Sequence, residues 1–465
     1  MVGLHAFRNN YRHCGDYTPR VAFILPAWNE ADVLSSSIDS LMKVSYPAGA
    51  WRIYVVDDAS TDETPGLLRK KQEQYPGYVF HLRREKGGQG KSHTLNHGLR
   101  TILADDFAEA VMIMDADVLF EPLTLRRMTR HLANPKVGAV TAYIKEGSVP
   151  GNFITRSIAF EYITAQAAAR RAQNVAGFLV CMAGGAQLHS RANLIQLGGE
   201  IDTRSLAEDT CTTLKTQLIG KQVVFDGNAI VWAEEPGSLA ALWKQRLRWA
   251  RGNLQLTFSF RSLWFNPGKH PKLGGIPFGF VWFSATLMPL FTLCGTCGLI
   301  GLYFFYPALA LSSLTVFWVI QAGIFLFETL FSFMIDPSTA RRAWVQGLLF
   351  PGIFSLILML LFFLPYEFRS FLHPLAESAG PGSSLQVLLP LVIYTWGGIS
   401  MVAAWMIYRL ETCGLPGWIR DLLLVLIGYG PFLGAIAFTA IIAHCRGLET
   451  RWDKTVKSGK AKMLS

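Results

Sequence analysis

From position 20 the chain alternates short apolar runs with longer amphipathic ones. "RVAFILPAW" is an aliphatic and β-branched run of the kind found in strands buried on both faces, "NEADVLSSSIDSLMK" has helical spacing, and "RIYVVDDAS" is a second strand. The alternation continues with a helix over "DETPGLLRKKQEQY" and a short strand at "YVFHL". The loop "KGGQGKSHTLNHGL" (86–99) opens a helix to about Leu103, "AVMIMDAD" is a strand, and a further helix starts at Pro122. Short apolar strands separated by helices predict a mostly parallel sheet covered on both faces, a doubly wound, Rossmann-like α/β domain.

The pattern changes after about residue 270. Apolar stretches near 276–304, 308–334, 345–366, 386–408 and 421–444 approach or exceed the roughly 20 residues that cross a bilayer as a helix. The expected organisation is an N-terminal extension (1–19), the α/β domain (20–255), an interfacial amphipathic segment (256–275), an α-helical transmembrane domain (276–445) and a basic cytosolic tail (446–465). Five spans cannot leave both the α/β domain and a Lys/Arg-rich tail in the cytosol, so four spans and one re-entrant or interfacial segment are expected. With no apolar signal segment before Val21, the α/β domain is expected on the cytosolic face of the cell membrane, in a multi-pass protein.

The net charge of +10 does not change this picture. Basic residues cluster beside apolar segments, in "ARRAW" (340–344) and "RGLETRWDKTVKSGKAK" (446–462), where they retain loops in the cytosol and meet anionic membrane lipid. No basic stripe with interleaved aromatics occurs in the α/β half, so no nucleic-acid partner is expected. The seven cysteines form no disulfide framework, and Cys294 and Cys297 lie inside an apolar run as packing residues.

In doubly wound sheets, ligands bind beyond the carboxyl ends of the strands. Three polar clusters stand there: Pro26 to Glu30, Asp57-Asp58-Ala59-Ser60, and Asp115-Ala116-Asp117. Any one could cap the next helix, but three at one edge point to a nucleotide diphosphate held through a divalent cation, for which Asp-x-Asp supplies the hard oxygens that suit Mg²⁺ or Mn²⁺. The Gly-rich loop looks like a phosphate-binding P-loop, yet the glycine that motif needs at position 85 is Glu85.

The segments "ILPAWNE", "VVDDASTDET", "GKSHTLNHGL", "IMDADVLF", "LAEDTCTTL" and "LWKQRLRWARGN" occur in the order and spacing of the processive family 2 glycosyltransferases, and the chain resembles that family over residues 20 to about 265. The likeness is nearest to bacterial poly-β-1,6-N-acetylglucosamine synthases, relatives of the cellulose, chitin and hyaluronan synthases. It implies a GT-A fold, a membrane-embedded inverting enzyme and a UDP-sugar donor, with UDP-N-acetylglucosamine favoured. The acceptor would be a growing β-linked glycan, which the enzyme would pass outward.

By the same resemblance Pro26, Glu30, Asp57, Asp58 and Lys91 belong to the donor site, Asp57 and Asp58 by accepting the uracil N–H, a reading preferred to the alternative that Asp58 or its neighbour only caps a helix. Asp115 reaches ribose or metal and Asp117 ligates the metal. Glu208-Asp209 should open a helix, where an acid pair also complements the helix dipole. The family pattern makes Asp209 the general base, with Glu208 beside it, and Ala207 stands where the family has threonine. Gln245, Arg248 and Trp249 share one helix face; Arg248 is assigned to the pyrophosphate, Trp249 and Gln245 to the acceptor. "CMAGGAQLHSRANLIQLGG" (181–199) resembles the acceptor-lining segment, and "WDKTVKSGK" a gating loop with Trp452 and Thr455. Glu328, an acid in an apolar run, lines a sugar path or marks a helix end.

An accessory subunit or a second copy of the chain would complete a channel, since many relatives carry apolar segments before the catalytic domain. Two other readings stay open. One is a single-transfer glycosyltransferase acting on a lipid-linked or oligosaccharide acceptor, and the other a transporter with a nucleotide-binding domain.

Overall fold

The computed structural model describes residues 1–8, 16–363, 384–448, 457 and 459–464. It forms two compact units. The first comprises Met1–Pro236, Gly252–Trp282 and Thr450–Ser465, and the second Gly237–Arg251 and Phe283–Glu449.

The first unit is built on strands β1 (Val21–Ala27), β2 (Trp51–Asp57), β3 (Val79–Arg83), β4 (Ala110–Ile113), β5 (Leu119–Phe120), β6 (Val137–Glu146), β7 (Gln187–Ser190) and β8 (Gln222–Ala233). Its helices are α1 (Val2–Arg8), α2 (Ala31–Leu41), α3 (Thr64–Gln74), α4 (Lys91–Ala104), α5 (Thr124–Thr129), α6 (Phe153–Glu161), α7 (Ala169–Ala176), α8 (Arg191–Gln196) and α9 (Glu208–Leu218), with a π-helical stretch at Tyr162–Ala168 between α6 and α7. Helix α10 (Leu239–Ser259) runs unbroken from the second unit into the first, through the boundary expected at 255.

The eight strands lie in the order β3-β2-β1-β4-β7-β6-β8-β5. The β3-β2-β1-β4 half is parallel, as the alternation predicts, but the sheet as a whole is mixed: β7 runs antiparallel to both β4 and β6, and β5 antiparallel to β8. The helical excursion between β6 and β7 never crosses the sheet. It leaves and re-enters at the edge where β1, β2 and β4 end, and so delivers residues 181–186 to that edge.

Register sets the geometry there. Ala27 pairs with Asp57, Asp57 with Arg83, and Ile24 with Ile113, so Asp115, two residues further on, stands level with Pro26. Beneath, Ile24, Val56, Val111 and Ile113 pack against Leu95, Leu99 and Ile102 of α4. The helix approaches closely because position 98 is glycine: a Cβ there would lie 2.6 Å from Ile24 Cδ1 and 2.7 Å from Val56 Cγ2. Gly98→Ala should therefore lower stability by about 1–3 kcal/mol, the usual range for overpacking, instead of gaining the helix propensity of alanine. A lower denaturation midpoint, together with weaker donor binding as α4 is pushed off the sheet, is the expected result.

In the second unit, three helices among the described residues are long and apolar enough to cross a membrane: Met288–Phe305, Pro307–Ile335 and Pro390–Thr412. Two bent pairs, Pro337–Leu348 with Ile353–Phe363 (74°) and Gly417–Ile427 with Tyr429–Cys445 (92°), raise the total to five if each is one span. The continuous stretches expected at 345–366 and 421–444 are thus each broken, as a re-entrant segment would be. The cause is visible: a Cβ on Gly352 would lie 2.3 Å from the Ile427 carbonyl carbon, and one on Gly428 2.4 Å from that of Pro351, so the two breaks meet backbone to backbone. The Gly430 N–H donates to the Phe350 carbonyl at 2.9 Å across the contact. The stretch expected at 276–304 divides at Leu287, ahead of Pro289, because proline has no N–H to donate and restricts the residue before it.

The start of α10 is clamped within this unit. The Glu411 carboxylate accepts the Leu239 and Ala240 N–H groups at 3.2 and 2.6 Å, which satisfies two orphan donors at the positive end of the helix dipole. Arg420 holds the acid from its other side at 3.0 Å. Trp243 stacks on Tyr408 with ring centroids 4.1 Å apart.

Candidate active site

The sheet edge gathers the expected acids around one lysine. Lys91 opens α4, and its ammonium lies 2.7 Å from Asp115 and 3.3 Å from Glu208, with the Gly184 carbonyl at 3.4 Å. Burial works against this charge, but Asp115 and Glu208 outweigh it and hold the Lys91 pKa above its usual value. Glu208 and Asp209 form the first turn of α9 as expected, their backbone placed by Ala207, whose methyl packs against Gly252 of α10. A Cβ on Gly252 would stand 2.7 Å from that of Ala207, so the small side chain where the family has threonine matches a close helix contact.

Asp209 is the perturbed acid of the group. Removal from bulk water, reinforced by the neighbouring Glu208 charge and opposed by Lys91, pushes its pKa up to about 6. It accepts the Thr210 N–H at 2.7 Å, and a Cβ on Gly184 would lie 3.2 Å from its Oδ2, so that wall of the site is bare backbone. The Cys181 thiol, pushed up by burial and by Asp209, stays protonated beside it.

The other expected donor residues hold the edge together. Asp57 is fully buried, and its carboxylate takes the Arg83 guanidinium at 2.8 Å, the His81 ring at 3.4 Å and the Ser60 N–H at 2.8 Å. Its pKa lies below the usual value: burial opposes the charge, but the hydrogen bonds from His81 and Ser60 and the Arg83 charge prevail. Asp58 pairs with Arg84 and accepts the Gly88 N–H at 2.9 Å, which ties the Gly-rich loop to β2. Pro26 is half-buried at the end of β1, and the Glu30 N–H, just before α2, donates to Thr64 Oγ1 at 2.9 Å.

Asp117 receives an ion pair that the sequence did not announce, from Lys457 at 2.8 Å. The tail reads as lipid-facing charge and, by resemblance, as a gating loop with Trp452 and Thr455, but neither reading singles out Lys457. Asn96, on α4 within "GKSHTLNHGL", proves to be a brace. Its side chain bonds both backbone groups of Ile201, at 2.9 and 2.7 Å, and so fixes the segment leading to Glu208.

Gln245, Arg248 and Trp249 lie on α10 in the second unit. Gln245 is buried, and Trp249 is exposed with the Arg246 guanidinium 4.1 Å over its ring. Trp452 and Thr455 fall outside the described residues.

Among the described residues no group of three or more His, Cys, Asp or Glu forms a ready metal cage. Asp115 and Asp117 nonetheless suit a divalent cation, since each carboxylate already carries a cationic partner, here a lysine ammonium. Mg²⁺ and Mn²⁺ are commonly held by one or two carboxylates, with diphosphate oxygens and water completing the shell.

A mixed, half-parallel sheet that collects acids and an Asp-x-Asp at its carboxyl edge is the GT-A arrangement of glycosyltransferases, and in this chain apolar helices follow it. The model of the family described as "Glycosyltransferase like family 2" matches residues 19–252, and the chain belongs to that family of enzymes. A protein of Bacillus subtilis named a probable glycosyltransferase is 29% identical over 53% of this chain and 58% of its own length. The poly-β-1,6-N-acetyl-D-glucosamine synthase of Staphylococcus aureus is 28% identical over 50% of this chain and 54% of its own length. The β-monoglucosyldiacylglycerol synthase of a Synechocystis species is 30% identical over 51% and 48%. The chain thus spans about half the length of the curated relatives it matches. Among solved structures, a mannosyltransferase of Pyrobaculum calidifontis in complex with GDP-mannose and Mn²⁺ shares the fold, with TM-score 0.53 and 23% identity over 75% of this chain and 94% of that one.

Proposed function

We propose that the chain is an inverting, metal-dependent membrane polysaccharide synthase that transfers N-acetylglucosamine from UDP-N-acetylglucosamine to a growing β-linked glycan and passes the product outward. The observation that carries the proposal is the convergence of Asp115, Lys91, Glu208 and the raised Asp209 carboxyl at one sheet edge. The name of the Staphylococcus relative supports the sugar and the polymer.

In the reaction, the Asp209 carboxylate takes the proton of the acceptor hydroxyl as its oxygen attacks the anomeric carbon. The bond from that carbon to the diphosphate breaks on the opposite face, and UDP leaves with the bonding electrons. Lys91 meets the negative charge that develops on the diphosphate. A divalent cation on Asp115 and Asp117, when bound, supplies further neutralisation of that charge. Arg248 is assigned to the diphosphate, Gln245 and Trp249 to the acceptor, and Asp57, Asp58, Pro26 and Glu30 to the nucleoside side.

A second reading, single transfer to a lipid acceptor, is favoured by the Synechocystis relative, whose name specifies a glycolipid. Incubation of the purified full chain with UDP-N-acetylglucosamine, UDP-glucose and GDP-mannose separates the two. The first reading expects UDP release from UDP-N-acetylglucosamine and a ladder of products, abolished by EDTA and restored by Mn²⁺ or Mg²⁺. A single added sugar on a diacylglycerol acceptor decides for the second, and transfer undiminished by EDTA removes the metal from the mechanism.

A further inference from the structure

Lys457 takes no part in the proposed reaction, yet its surroundings are elaborately built. Its ammonium pairs with Asp117 at 2.8 Å and donates to the Glu234 carbonyl. The lysine side chain is 16% exposed and the Asp117 side chain 12%, so this is no solvent-screened surface pair.

The backbone that follows is anchored. Lys462 N–H donates to the Gly147 carbonyl at 2.8 Å and Val149 N–H to the Lys460 carbonyl at 3.0 Å, with an antiparallel bridge between Ser148 and Ala461. The Glu234 carboxylate accepts the N–H groups of Gly459 and Lys460 at 2.9 and 3.3 Å. Gly459 has φ +72°, and a Cβ there would stand 2.3 Å from the Asp32 carbonyl oxygen, so glycine is required for the chain to pass. Only residue 458 separates this anchor from Lys457, which confines the ammonium to the neighbourhood of the Asp-x-Asp.

We propose that the Lys457 ammonium and the divalent cation compete for Asp117, so that metal loading displaces the lysine from the carboxylate. The proposal rests on the reading of Asp117 as a metal ligand. A shielded carboxylate needs a counter-charge, and without metal the lysine supplies it. A divalent cation takes the same oxygens, and the repulsion between the two cations at contact distance excludes joint occupancy. The coupling is reciprocal: whatever Lys457 costs the metal in affinity, bound metal costs the Lys457–Asp117 pair.

The test uses the full chain in detergent micelles with UDP present, and reads free Mn²⁺ by electron paramagnetic resonance. Lys457→Met is expected to bind Mn²⁺ about tenfold more tightly than the unsubstituted protein, within the range usual for coupled sites. Lys457→Arg, which keeps the charge, should stay within about twofold, and Asp117→Asn should lose the site. In the unsubstituted protein, the rate of amine acylation at Lys457, followed by mass spectrometry, should rise when Mn²⁺ and UDP are added. Unchanged or weaker Mn²⁺ affinity in Lys457→Met, with binding lost in Asp117→Asn, overturns the competition and leaves the metal-dependent reaction standing. Acylation of Lys457 indifferent to Mn²⁺ overturns it as well. Absence of Mn²⁺ binding in every variant overturns both the competition and the metal reading of Asp117.

Discussion

Asp209→Asn is expected to lower sugar transfer by about 10³-fold, within the range for removal of a positioned general base, while UDP binds with unchanged affinity. The amide keeps the size of the carboxylate but cannot accept the acceptor proton. The same residue sets a pH profile. A base works only when ionised, so kcat/KM of the unsubstituted enzyme should rise with pH through about 6, where the buried, Glu208-flanked carboxyl loses its proton, and level above it. Initial-rate profiles and UDP titrations of both proteins check this, and substantial turnover in Asp209→Asn would sink the assignment.

Lys91→Met has the second largest expected effect, a loss of about 10²–10³-fold in kcat/KM, comparable to removing one pre-organised donor to a developing oxyanion. The lysine is the cation shared by Asp115 and Glu208, and its attraction also lowers the pKa of Asp209. Without it three carboxyls face one another uncompensated. The acid limb of the pH profile should move to higher pH, because a proton on Asp209 becomes easier to keep. An acid limb that stays in place in a folded variant, judged by its melting temperature, would show that Lys91 and Asp209 are not electrically linked.

Much of this site was legible in the sequence because its parts sit where local rules put them. Asp57, Asp115 and Lys91 each lie at a strand end or helix start that apolar periodicity marks, and Glu208-Asp209 announces a helix N-terminus. The direction of β7 was not legible: four residues, "QLHS", carry no record of which way they enter the sheet. Nor could spacing say that Asp57 is already engaged by Arg83 and His81, since that follows from cross-strand register. One re-entrant segment was expected, but not which apolar stretches would break, because hydropathy averages over Gly352 and Gly428, where the chain bends at a contact between distant segments. Lys457 lies far along the chain from Asp117, in a stretch whose charges also suit anionic lipid.

Two of the mid-helix glycines, Gly98 and Gly252, bear on how the enzyme could be made hardier. A glycine inside a helix costs about 0.5–1 kcal/mol relative to alanine, and its replacement is a routine route to heat resistance. Here each marks a point where a helix closes on the machinery, α4 carrying Lys91 and α10 pressing on the residue before Glu208. Thermostability engineering guided by propensity alone would choose these positions early and loosen Lys91 and the Glu208-Asp209 pair together.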